Sequence, residues 1–284
     1  MEILQDIQTR RFWRHFGKEA FACLGILLAV LKLVQISFPH WTQTVLERPE
    51  TFVLVTVCSI FFGAVRAWPQ PITQHYPVAN TRISVVKGDL LKEKHHLVIG
   101  MCDSFDVEVP VIAKTSVQGQ VLDVLYGGDV RRFNDELEAA LQGKAVEETL
   151  VKGGKTSAYG IGTVASVWSS ARYIFFLAYT RMNATNEAHA TPDGIWKSLI
   201  ALWSEVSKKG NGATVSIPVI GGGQARIAAV LPAQDSIRFI AFSFILASRQ
   251  ARLCDELRIV VTDQAYKTLD RLELQSFLSS LRAS

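Results

Sequence analysis

The sequence predicts an α/β domain with a mixed, mainly parallel sheet layered by helices, preceded by an N-terminal two-helix transmembrane hairpin. Three observations predict it. Apolar residues crowd into two runs before residue 70, and strand and helix patterns alternate after residue 80. A glycine triplet also follows directly on an apolar strand pattern.

The first apolar run, Ala20 to Phe38, holds one charge, Lys32. As a helix it is roughly 28 Å long, close to a hydrocarbon core of about 30 Å. The second run, Thr51 to Val65, carries no charge and ends at Arg66 and Trp68, and a short polar connection from Pro39 to Glu50 joins the two. A secretory signal is the rival for the first run, but no small-residue cleavage site follows and a second span comes next. Arg10, Arg11, Arg14 and Lys18 precede the first span, whereas the connection holds only Arg48. The positive-inside bias therefore puts the N-terminus and the large C-terminal domain in the cytosol. Trp13, Trp41 and Trp68 lie just outside the spans, where indole rings favour headgroups. A central lysine costs about 2.5–3.5 kcal/mol on insertion scales. Lys32 either snorkels to the outer interface or faces other helices in an oligomer.

The expected boundaries are a basic N-terminus at 1–18, the transmembrane hairpin at 19–68, a stiff proline-containing linker at 69–79 and a ligand-binding domain at 80–284. Within that domain strands are expected at 83–87, 97–101, 162–168, 173–179, 213–219 and 257–261. Helices are expected at 129–141, 192–209, 232–249 and 263–281. Pro192 suits the first turn of its helix.

Composition excludes several classes. Net charge is +4, with no basic run interleaved with aromatics, so no nucleic-acid partner is expected. Cys23, Cys58, Cys102 and Cys254 form no C-x-x-C pair, which argues against a zinc site, any other metal centre or a disulfide framework.

Ligands in open α/β sheets bind beyond the carboxyl ends of strands. Gly88-Asp89-Leu90 follows the first strand; a carboxylate there can accept from an exocyclic amine, or can simply cap a helix. Ile220-Gly221-Gly222-Gly223-Gln224-Ala225-Arg226 follows an apolar strand, and consecutive glycines let backbone N–H groups converge on an anion beside the arginine. It is neither a P-loop nor a dinucleotide fingerprint. Thr115, Ser116, Gln118 and Gly119 form a polar stretch that can supply a second phosphate-facing loop or a plain turn.

Taken in order, Ile83-Ser84-Val85-Val86-Lys87-Gly88-Asp89-Leu90, Leu97-Val98-Ile99-Gly100 and Ser216-Ile217-Pro218-Val219-Ile220-Gly221-Gly222-Gly223 resemble a macro domain, the ADP-ribose-binding module. The resemblance covers residues 80–284 and implies a macro-like three-layer fold. It implies that Asp89 holds the adenine amine, and that the loops at 116–119 and 221–226 hold the diphosphate. Hydrolytic members carry an asparagine-rich run after the second strand. Here Gly100-Met101-Cys102-Asp103 stands in its place, so binding rather than hydrolysis is implied. Asp103, Ser104 and Phe105 then border the distal end of the ligand, where Phe105 or Tyr159 can stack.

A macro-like domain behind two spans looks like the membrane effector of type II Thoeris anti-phage defence. That resemblance implies an ADP-ribose-derived signal, a histidine conjugate made by a TIR-domain enzyme, and no resident cofactor. It implies homo-oligomers, tetrameric or larger, in the bacterial inner membrane, and bilayer damage that arrests the infected cell. Ligand binding is expected to order the loop between Gly143 and Gly160. The alternative is a membrane-tethered ADP-ribosyl hydrolase in which Asp103 or Asp106 activates water; a plain anchored scaffold is the third reading.

Overall fold

The structure, a computed structural model, describes residues 10–39, 48–68, 71–221 and 230–282. The chain divides into two compact units between Gln70 and Pro71.

The first unit is a pair of helices, α1 (Arg10–Ser37) and α2 (Pro49–Ala67). Each is long and apolar enough to cross a membrane. α1 starts ten residues before Ala20 because Phe12, Trp13 and Phe16 continue the helical spacing as a stacked aromatic cluster. α2 buries Val55, Ser59, Gly63 and Ala67, one residue per turn. A Cβ on Gly63 would stand 2.8 Å from the Ala20 Cβ, so this ridge of small residues lets the two backbones approach. Ser59 and Thr56 donate their hydroxyls to the carbonyls of Val55 and Phe52, each at 2.8 Å. Lys32 Nζ donates to Gln35 Oε1 at 3.1 Å.

The second unit is a mixed sheet between helices. Its strands are β1 (Ile72–Tyr76), β2 (Thr81–Lys87), β3 (His96–Cys102), β6 (Val164–Ser169), β7 (Arg172–Met182), β9 (Val215–Pro218) and β10 (Glu256–Val261), in the order β1-β2-β10-β9-β3-β7-β6. A short β8 (Ala188–His189) pairs with the end of β7. The five central strands, β2 to β7, are parallel, and β1 and β6 close the edges antiparallel. A parallel core buried on both faces explains the continuous apolar runs in β3 and β7.

Two cores flank the sheet. One is closed by α5 (Pro192–Lys209), α6 (Ala233–Ser248) and α8 (Arg271–Ser280), with Trp203, Phe244 and Leu274 at or near zero exposure. The other is closed by α3 (Val117–Tyr126) and α4 (Val130–Leu141), with Phe133 and Leu137 fully buried. Thr191 caps α5 and Pro192 occupies its first turn, as its sequence predicts.

Three expectations need correction. Residues 72–76 belong to the sheet and not to a linker: Ile72, Gln74 and Tyr76 alternate inward against β2. The closing helix is two, α7 (Asp263–Thr268) and α8, because buried Leu269 turns the chain inward and Asp270 caps a new start, accepting from Glu273 N at 3.1 Å. The stretch from 144 to 160 is a folded flap with a small ladder, β4 (Glu148–Thr149) on β5 (Ser157–Ala158).

Candidate functional site

The parallel core carries its own pointer to a site. From β3 the chain leaves through α3 and α4 on one face, whereas from β9 it leaves through α6 on the other. The neighbours β3 and β9 therefore form a topological switch point, where open α/β sheets hold ligands. These strands pair only at His96↔Val215 and Leu97↔Ser216, then run on unpaired toward their carboxyl ends. The segments that follow Cys102 and Pro218 leave the sheet from this point.

Tyr179 of β7 spans this switch point, from β3 to the segment after β9. A Cβ on Gly100 would meet the Tyr179 ring at 2.4 Å, so the ring lies directly over the β3 backbone. Its phenol is hydrogen-bonded with the Gly221 backbone, and burial pushes its pKa up to about 12. Gly221 has φ +87°, a conformation that favours glycine, and Ser236 Oγ donates to Ile220 O at 2.6 Å. The start of the glycine turn is thus fixed from β7 and from α6. Gly222, Gly223, Gln224, Ala225 and Arg226 lie outside the described residues. Sequence reasoning missed Tyr179, which falls at the register shift between Met101↔Ala178 and Cys102↔Thr180, and no local pattern announces that irregularity.

At the end of β2, Gly88 is exposed, with its N–H on Val261 O at 3.0 Å. Asp89 caps the short 3-10 turn Leu90–Lys92 through Leu91 N at 3.0 Å. Its other oxygen is 3.8 Å from Lys92 Nζ and its side chain is 49% exposed, so one carboxylate oxygen faces outward. Leu90 turns into the α3–α4 core and offers no side chain to a ligand.

The loop after β3 differs from expectation. Asp103, Ser104 and Phe105 are 2%, 0% and 0% exposed, so none meets a ligand directly in this conformation. Asp103 Oδ1 accepts from Met182 N at 2.9 Å, and burial raises its pKa. Ser104 Oγ donates to Asp106 Oδ2 at 2.5 Å, and Phe105 lies edge-on beneath Tyr159. Asp106 also accepts from Lys152 Nζ and from Lys155 N, at 2.8 and 2.7 Å. Both candidate water-activating carboxylates are therefore buried and engaged.

Thr115, Ser116, Gln118 and Gly119 are not a free loop either. Ser116 caps α3, accepting from Gly119 N at 3.0 Å while donating to Ala113 O at 2.7 Å. Gln118 reaches back to Asp106 O, and a Cβ on Gly119 would collide with Ala113 O. Only Thr115 is exposed. The helix start was missed because its cap, a serine before a valine, sits in a run of small polar residues that also reads as a turn.

Among the described residues no group of three or more His, Cys, Asp or Glu could hold a metal. The four cysteines are unpaired.

The Oceanobacillus iheyensis macrodomain with MES bound is 15% identical, with a TM-score of 0.47 over 74% of this chain and 99% of that one. A Trypanosoma brucei macrodomain in complex with ADP-ribose is 14% identical, with a TM-score of 0.45 over 69% and 72%. No curated protein sequence matches. The family described as Thoeris protein ThsA, Macro domain, matches residues 83–262, from β2 through β10 to the cap of α7, and the chain belongs to that family.

Proposed function

We propose that this chain is a nucleotide-gated membrane effector of bacterial anti-phage defence. Its macro domain senses an ADP-ribose-derived signal of the histidine-conjugate type, made by a TIR-domain enzyme. Occupancy drives homo-oligomers, tetrameric or larger, of the two-span helix pair in the inner membrane, and the damaged bilayer arrests the cell. The observation that carries this reading is the β3–β9 switch point, where Tyr179 and α6 hold the start of a glycine turn, in a chain of the ThsA Macro family.

Further features support it. Outward residues on both helices, among them Phe21, Leu33, Ile36, Phe52 and Phe61, are exposed apolar side chains that suit lipid. Arg10, Arg14, Lys18 and Arg66 gather where α1 begins and α2 ends, and Glu19 lies 3.9 Å from Arg66 there. This asymmetry supports a cytosolic position for that end and for the macro domain. Asp89 offers an outward oxygen to an adenine amine, and the glycine turn offers N–H groups to a diphosphate. The chain binds rather than hydrolyses, because Asp103 and Asp106 are committed to internal partners.

Titration calorimetry of the full chain in detergent micelles tests the first step. ADP-ribose binds with saturable heat and emerges unchanged; no heat, or turnover, refutes the assignment. Dye release from liposomes, with and without nucleotide, tests the second.

A further inference from the structure

The flap from 144 to 160 is where the structure departs most from a waiting, unstructured loop. Positive-φ glycines stand at both of its ends, Gly143 at +77° and Gly160 at +82°. Between them the chain folds over the loop that follows β3. Leu150 packs on Cys102, Ile112 and Met182, and Tyr159 N donates to Asp103 O at 2.9 Å. The tip turns through Gly153 and Gly154, where a Cβ on Gly154 would strike Asp106 Oδ1 at 2.4 Å. Val151 beside it is 91% exposed.

Asp106 is the fastening point. Its carboxylate receives Lys152 Nζ, Lys155 N and Ser104 Oγ, and the Lys152 and Asp106 side chains are 0% and 3% exposed. The second amine is less well served. Lys155 Nζ is buried without a hydrogen-bond partner, 3.9 Å from Glu138 Oε1, and burial lowers its pKa. Asp106 thus holds one ammonium group and one amide of the flap, and the Lys155 ammonium stands near a different carboxylate without a hydrogen bond, all over the loop that follows β3.

We infer that the flap is an autoinhibitory lid latched by Asp106, which a diphosphate ligand opens by competing for Lys152 and Lys155. This inference rests on the ADP-ribose reading above and adds its regulation. Occupancy shifts a closed–open equilibrium only through differential affinity. Here the difference is concrete: the closed form covers the Asp103–Phe105 segment and engages Lys152 internally, whereas the open form frees both. Closure also reduces apparent affinity by the fraction of open molecules.

The test uses the full chain in detergent micelles, with ADP-ribose as the probe. Without it, trypsin spares the bonds after Lys152 and Lys155, and amides of 147–159 exchange slowly. At saturation, cleavage there and exchange speed up at least about tenfold. Asp106→Asn removes the latching charge and keeps both lysines for the ligand. This variant exchanges faster unliganded and binds ADP-ribose about tenfold more tightly. Heat of binding with flap exchange unchanged or slowed overturns the lid and leaves the binding reading intact. Absence of any heat overturns both.

Discussion

Tyr179 joins three strands' worth of site from one position: its ring covers Gly100 and its phenol meets the Gly221 backbone. Tyr179→Phe keeps the ring and removes the hydrogen bond. ADP-ribose affinity should fall by about twofold to tenfold, the equivalent of about 0.5–1.5 kcal/mol, with circular dichroism unchanged. Asp89 has two duties, so Asp89→Ala should weaken binding and also cost about 0.5–2 kcal/mol of stability through the lost cap, read by urea unfolding. Asp263 pairs with Lys267 at 2.7 Å and with Lys87 at 2.8 Å, and these hydrogen bonds hold its pKa at about 2. A depressed carboxylate contributes stability that is complete above its ordinary pKa of 3.8 and is lost as pH falls through about 2. An NMR titration should find that low midpoint, and Asp263→Asn should abolish this part of the acid dependence. At this scale the sequence was partly legible. Asp89 and the glycine turn stood out as candidates because their residue types carry their chemistry. The burial of Phe105 and Asp103 was not, because it depends on a flap forty residues away in the chain.

Among the elements, the flap and the helix pair make the sharpest claims. Removing one partner of a buried ion pair strands the other, at about 3–5 kcal/mol, whereas neutralising both is mild. Lys152→Met alone should thus destabilise the domain far more than Asp106→Asn/Lys152→Met, as compared by urea midpoints. In the helix pair, Gly63→Leu forces a side chain against Ala20 and the Phe16 carbonyl. Overpacking of this kind costs about 1–3 kcal/mol and should lower the thermal midpoint in detergent. Elements with long periodic patterns, such as α5 and α4, were legible from spacing alone. β1 was hidden by its flanking prolines. α3 was hidden by a polar first turn, since local chemistry there fits helix and turn equally.

For the whole molecule, both sheet edges are antiparallel, and they are treated differently. β1 is stapled by α8: Gln275 accepts from Thr73 N at 3.1 Å and donates to Thr73 O at 3.2 Å, while Tyr76 donates to Leu278 O at 2.8 Å. That side-chain amide occupies the place of a further strand and blunts edge pairing. The mixed sheet between helices follows from the alternation of strand and helix patterns, as the sequence predicts. Strand order, and with it the switch point, depends on long-range pairings that periodicity does not encode.

Because β1 runs against β2, with Ile72 opposite Val85, the thread leaving α2 joins the sheet beside Gly88 and not at its far rim. Asp89, the proposed adenine partner, follows at that end of β2. Lengthening the tether between Trp68 and Pro71 with glycine and serine should therefore leave nucleotide affinity alone and silence dye release.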